Sequence, residues 1–279
     1  MYVKLAIIVL FSGLLLFCTE NPFFEESIKF KERQEINGKV QLQFSSDNSD
    51  ILVYFEGFEY VTKTDKDGNF ALKIPPAHLQ PGNGLTGLYK IYYYVANYKI
   101  ESSTVLVSNG EFVYDFADLD LKGQVKRGIV LNKLLDVSTE VDPVSIEHSY
   151  NGQLNIGVTL NVLVDSVIVS SFLIKKKELG GVYLSSAEQV HLIKSGFAIL
   201  TKLTLKGKTS LPMKINWKKE KEAIPVGNYD VIPYLQIHQE GIPAKLLKII
   251  GTKSHTFHSD FLNIPYRRAT EQIIISSSK

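Results

Sequence analysis

Apolar and polar residues alternate with a period of two along most of this chain. In "INGKVQLQF" Val40, Leu42 and Phe44 share one face, and Lys39, Gln41 and Gln43 share the other. "ILVYFEG" puts Ile51, Val53 and Phe55 together, and Phe70, Leu72 and Ile74 do the same after a polar turn. "LYKIYYYVANY" aligns Tyr89, Ile91, Tyr93 and Val95. "STVLV" and "EFVYDFADLDLKG" extend the series, and from Leu154 the alternation resumes through Ile156, Val158, Leu160 and Val162. Further strands are predicted in "VIVSSFLI", "FAILTKLTL", "LPMKINW", "YDVIPYLQI", "AKLLKIIG" and "EQIIIS". Strand-period runs separated by Gly, Asp and Asn turns predict an all-β fold of two tandem β-sandwiches. The expected divisions are 36–127 and 128–279. One helix is expected in "SSAEQVHLIKSG", where Ser185 and Glu188 form a capping box and Gly196 ends the run.

The stretch "TKTDKDGNF" separates two of these strands. Read as an EF-type loop with Gly68 at the sixth position, it would place Lys63 first and Ile74 twelfth, and neither can ligate calcium. Asp67-Gly68 is instead a strong turn dipeptide, and a tight hairpin is expected there. "GNGLTG", Gly82 to Gly87, matches the dinucleotide fingerprint letter for letter. That motif needs a helix after it, and an aromatic strand follows, so nucleotide binding is not expected.

The order "INGKV", "ILVYFEG", "TDKDGNFALKIP", "YKIYYYVANYK" resembles the carboxypeptidase regulatory-like domain over about Ile36 to Val125. The resemblance implies a transthyretin-like, seven-stranded sandwich serving as a non-catalytic accessory module of bacterial envelope proteins. "PPAHLQPGNGLTGLYK" is much longer than the family's usual connection at this place. In the second half "IPVGNYDVIPYL" is similar to the late strand of immunoglobulin-like sandwiches, which implies that Tyr229 caps the backbone at a corner.

The N-terminus breaks the pattern. "MYVKLAIIVLFSGLLLFCTE" has a positive Lys4 and an apolar run from Leu5 to Phe17, too short to span a bilayer. "LLFC" resembles a bacterial lipobox and implies lipidation of Cys18, although Phe17 stands where the family has a small residue. The expected order is a signal peptide over 1–18 and a tether over 19–35. The implied address is the cell envelope, with the chain held to the membrane through its N-terminal lipid.

Charge and chemistry narrow the function. The net charge is +2 with acids and lysines interspersed, so no nucleic-acid partner is expected. Cys18 is the one cysteine, which removes disulfides and a Cys/His nucleophile. His255 and His258 lie three apart in "HTFH", a spacing that diverges on a strand, and His238 is the remaining candidate for a zinc site; no metal site is expected. No G-x-S-x-G elbow occurs, and neither catalytic residues nor a cofactor are expected. Tyr92 and Tyr94 face away from the core-directed Ile91 and Tyr93. With Trp217 they are the candidate contact aromatics for a glycan or envelope-protein partner; the competing use is packing under a loop or against the second sandwich. The reading is a non-catalytic, lipid-anchored accessory, adhesion or assembly module. A glycan-binding lipoprotein is the alternative, followed by a hydrolase with a site between the domains.

Overall fold

The computed structural model describes residues 33–278, and the signal, Cys18 and most of the tether lie outside them. The described chain is all-β. Its first eight strands are β1 (Glu35–Leu42), β2 (Leu52–Phe55), β3 (Tyr60–Lys63), β4 (Asn69–Lys73), β5 (Gly87–Tyr94), β6 (Glu101–Ser108), β7 (Glu111–Phe112) and β8 (Ile129–Leu131). They form a sheet of order β4-β1-β8 and another of order β3-β2-β5-β6-β7. Ile36, Val40, Phe70 and Leu72 from the one pack against Val53, Phe55, Ile91, Tyr93 and Val105 from the other.

Twelve more strands follow: β9 (Leu135–Asp142), β10 (Ser145–Glu147), β11 (Gln153–Val162), β12 (Val167–Ile174), β13 (Glu178–Leu179), β14 (Gly181–Ser185), β15 (Val190–Lys194), β16 (Ile199–Leu205), β17 (Lys208–Asn216), β18 (Gly227–Pro233), β19 (Gln236–His238) and β20 (Gln272–Ser276). The sheets are β17-β11-β9, β10-β20-β18-β14-β15 and β13-β12-β16, with β19 also on β12. All three contribute to a second core in which the alternating Leu154, Ile156, Val158, Leu160 and Val162 of β11 are buried, as the pattern predicts. Two helices lie in this part of the chain, α1 (Trp217–Glu220) and α2 (Ala244–Ile250).

Several expectations are corrected. β1 ends at Leu42, and Phe44 turns out to solvent with φ of 61° instead of continuing the inner face. The expected helix over Ser185 to Gly196 is a hairpin. The Ser186 hydroxyl accepts the amides of Glu188 and Gln189, and Leu184 of β14 then pairs with His191 of β15. A Ser side chain that caps a helix can equally close a turn, and here the partner strand decides. "AKLLKIIG", expected as a strand, is α2, beginning after Pro243 and ending at Gly251. β7 stops after two residues, short of the strand expected through "EFVYDFADLDLKG", and Asp118 of that stretch accepts the Thr104 amide at 2.6 Å.

The turn at Asp67-Gly68 is present, but it does not make a hairpin. β3 pairs with β2 and β4 pairs with β1, so the turn carries the chain from one sheet to the other. Asp65 organises it. One carboxylate oxygen accepts the amides of Asp67 (3.0 Å) and Asn69 (2.8 Å), and the backbone closes through Asp65 N–H to Asn69 C=O at 2.9 Å. A second copy stands at Asp120, whose carboxylate accepts the amides of Lys122 and Gln124, both at 2.8 Å. In both copies the glycine amide returns to the aspartate carbonyl. Both turns deliver their next residues to β1, Phe70 opposite Gly38 and Gln124 beside Asn37.

These bonds hold the Asp65 carboxyl below its ordinary range, the Asn69 side chain first and its backbone amide second. A depressed carboxyl stabilises the fold above its unfolded pKa, and that contribution disappears as pH falls through the folded value. Asp65→Ala is therefore expected to lower the melting temperature at neutral pH, with the gap to wild type narrowing in the acid range. Thermal melts across pH 2 to 7 check this, and a gap independent of pH would remove the carboxylate from the explanation.

Candidate functional site

The region with the most chemistry is the seam between the two sandwiches. It forms because the sheet containing β2 and β5 is apolar on both faces: Leu52, Tyr54 and Tyr94 point away from the first core. A sheet buried on both sides needs a second cover. Residues 242–266 of the second sandwich supply it, laying Leu246, Phe261 and Ile264 on that face together with Tyr183 and Tyr234. The aromatic packing is close, with Tyr183 stacked on Phe261 at 5.6 Å and against Phe257 at 4.9 Å.

Polar groups fasten the same seam. Asn97 has no solvent exposure. Its amide donates to the carbonyls of Leu135 (2.9 Å) and Arg267 (2.7 Å), and its oxygen accepts the Arg267 amide at 3.0 Å. Gln239 bridges in the same manner, donating to Ala96 O at 2.8 Å and accepting Ile100 N at 3.0 Å. Ala96 N–H reaches Pro265 O, and the Arg267 guanidinium reaches Ser49 O. At the rim Lys245 pairs with Glu59 at 2.6 Å.

A cavity of about 150 Å³ lies within the seam, lined by Tyr94 and Ala96 on one side and by Gln236, His238, His255 and Tyr266 on the other. Burial pushes the phenols of Tyr94 and Tyr266 up, so both stay neutral. Burial, with Lys202 adding to it, holds the His238 imidazole below its usual value. His238 Nε2 lies 2.7 Å from Ser170 Oγ. The walls are hydrogen-bonding groups among apolar ones, and none of the described lining residues is a carboxylate. Chemically the cavity can accept a small molecule; the Ser170 hydroxyl that meets His238 is not among its lining residues.

The residues singled out in the sequence separate in space. Tyr94 is buried in the seam. Tyr92 is half-buried on the rim beside Tyr54, and its hydroxyl approaches Glu56 at 3.4 Å. Trp217 is far from both in function. It begins α1 with no exposure and packs in the second core among Ile215, Ile224 and Tyr229. Its assignment as a contact aromatic is corrected: the ring faces the interior because "LPMKINW" alternates inward at Leu211, Met213, Ile215 and Trp217. Tyr94 takes the competing use, packing against the second sandwich, and also lines the cavity.

Among the three histidines, His238 and His255 share the cavity wall. His258 instead caps a 3₁₀ turn by accepting the Asp260 amide. Tyr229 takes the role its resemblance implied, donating from its buried phenol to Pro225 O at 3.0 Å. The Pro75–Tyr89 connection winds about Gln80, whose side chain donates to Gly110 O at 2.7 Å and accepts Leu85 N at 3.0 Å. The glycines of "GNGLTG" are thus part of a closed loop followed by β5. The residues missed in the sequence are Asn97, Gln239 and Arg267. Each is a single polar letter whose partner is far along the chain, so periodicity carries no trace of them.

No family model matches this chain, and no curated protein matches it. A solved structure of the Bacillus anthracis TIE protein aligns with 74% of this chain and 29% of its own, at 10% identity and a TM-score of 0.23.

Proposed function

We propose that this is a non-catalytic, lipid-anchored envelope protein that works as a rigid accessory or assembly module. The observation that carries the reading is the seam. Its polar side chains, Asn97, Gln239 and Arg267, are engaged in fastening the two sandwiches, and its aromatic residues are packed as structure. A module of fixed shape presents surfaces in constant relation to each other, which suits scaffolding and docking. The membrane part of the proposal rests on "LLFC" and the apolar run before it. The glycan-binding alternative keeps only Tyr92 of its three aromatic residues at the surface, which favours the assembly reading.

The test is metabolic labelling with palmitate in a bacterial host, with and without globomycin. Label on the wild-type chain, absent from Cys18→Ala, and a precursor that accumulates under globomycin are expected. A Cys18→Ala chain that still takes label would refute the anchor.

A further inference from the structure

One end of the second sandwich carries an apolar tip that none of the described residues covers. Phe197 is 87% exposed, Ile199 71% and Leu200 53%. They occupy the crossing from β15 to β16. Among the described residues β16 pairs only with β12, in the register Phe172↔Leu200 and Leu173↔Ile199. The β12 strand that carries this register runs on to Ile174 and then into the turn that joins it to β13.

That turn is basic. Lys175, Lys176 and Lys177 are all exposed, and the first two hold φ of 49° and 59°. Consecutive lysines in the left-handed region are unusual, since Asn or Gly ordinarily fill such turns. Lys194, at the end of β15, holds its ammonium 4.8 Å from the Phe172 ring. Glu178 is the one carboxylate in the paired segments 172–180 and 194–202.

The tip is held out by construction. Ser195 N–H donates to Gly180 O at 2.9 Å, and Ala198 N–H returns to Ser195 O at 3.1 Å. A Cβ on Gly180 would lie 2.3 Å from that of Ala198, so glycine is what lets the crossing lie against the β12–β13 hairpin. The tip therefore joins exposed apolar side chains to a turn of three exposed lysines. It fits a deformable, negatively charged surface into which large side chains can sink while long lysine stems reach the headgroups.

We propose that this tip is a second membrane contact, which inserts Phe197 and Ile199 into an anionic bilayer surface with Lys175, Lys176 and Lys177 on the headgroups. The contact is independent of any lipid on Cys18 and orients the anchored module instead of tethering it.

The test uses the full chain carrying Cys18→Ser and Phe197→Cys, labelled at position 197 with a polarity-sensitive fluorophore. Vesicles of phosphatidylcholine containing phosphatidylglycerol are expected to brighten and blue-shift the probe. High salt should suppress the response, and adding Lys175→Glu with Lys176→Glu should weaken it about tenfold or more. The same label placed through Leu121→Cys, on the first sandwich, should stay water-like. Pure phosphatidylcholine giving an equal response would overturn the proposal, as would equal responses at both label positions. So would a chain that sediments with vesicles while the probe at 197 remains in water. A probe that answers soluble polyglutamate and ignores vesicles would assign the tip to an acidic protein partner and also overturn it. Because Cys18 is replaced throughout, none of these outcomes depends on lipidation.

Discussion

Asn97→Ala is expected to destabilise the protein by about 3–5 kcal/mol, with a fall of roughly 10 °C in melting temperature. Alanine removes one acceptor and two donors from a position with no solvent exposure. The Arg267 amide then loses its partner, and the carbonyls of Arg267 and Leu135 each lose a donor. Stranding a buried polar group costs about 1–3 kcal/mol, and water cannot reach these without opening the seam. The loss should therefore exceed that of deleting an exposed hydrogen bond several-fold. Differential scanning calorimetry reads it directly. A melting temperature within two degrees of wild type would mean that the Asn97 bonds add nothing to the join.

Gly68→Ala should cost a comparable amount for a different reason. Its φ is +86°, a region where an L side chain costs about 1–2 kcal/mol. Beyond that, the added Cβ would lie 1.9 Å from the carbonyl oxygen of Val40, which belongs to β1 in the centre of its sheet. Val40 N–H is itself bonded to Gly68 O at 2.8 Å, so the two cannot part without breaking the join. Overpacking of this kind adds about 1–3 kcal/mol. Gly82→Ala is the internal control. Its φ is +65°, and nothing lies within 4 Å of the added carbon. Urea denaturation of both variants separates the two effects, because Gly82→Ala should show the conformational cost alone. Equal losses at the two positions would eliminate the clash.

The parts of this protein that were legible beforehand are those governed by near neighbours in sequence. Leu154 to Val162 alternate because each side chain meets its own sheet face, and that information is local. Tyr229 was legible because its partner, Pro225, is four residues away. The hairpin expected at Asp67-Gly68 failed at the next level. The dipeptide specifies the turn, and Asp65 reinforces it, but which sheet each flanking strand joins depends on β1 and β2. The helix expected from Ser185 failed similarly, since β14 offered its residues an extended partner. Tyr94 and Trp217 show why exposure is difficult to infer from one strand. A residue facing away from one core is free only if no second layer covers it, and Tyr94 is covered by residues more than 150 positions later.

That covering has a consequence for how the molecule is made. Asn97 and Arg267 are 170 positions apart, and the segment that caps Leu52, Tyr54 and Tyr94 is synthesised well after the strands it covers. Until it arrives, the first sandwich can close its own core yet must carry an open aromatic face. Domains generally fold as units while synthesis proceeds, and exposed apolar surface during that wait invites aggregation. A chain released before residue 242 would therefore fold its first core and remain adhesive. The closing segment ends that exposure, since its Leu246, Phe261 and Ile264 are what hide the surface.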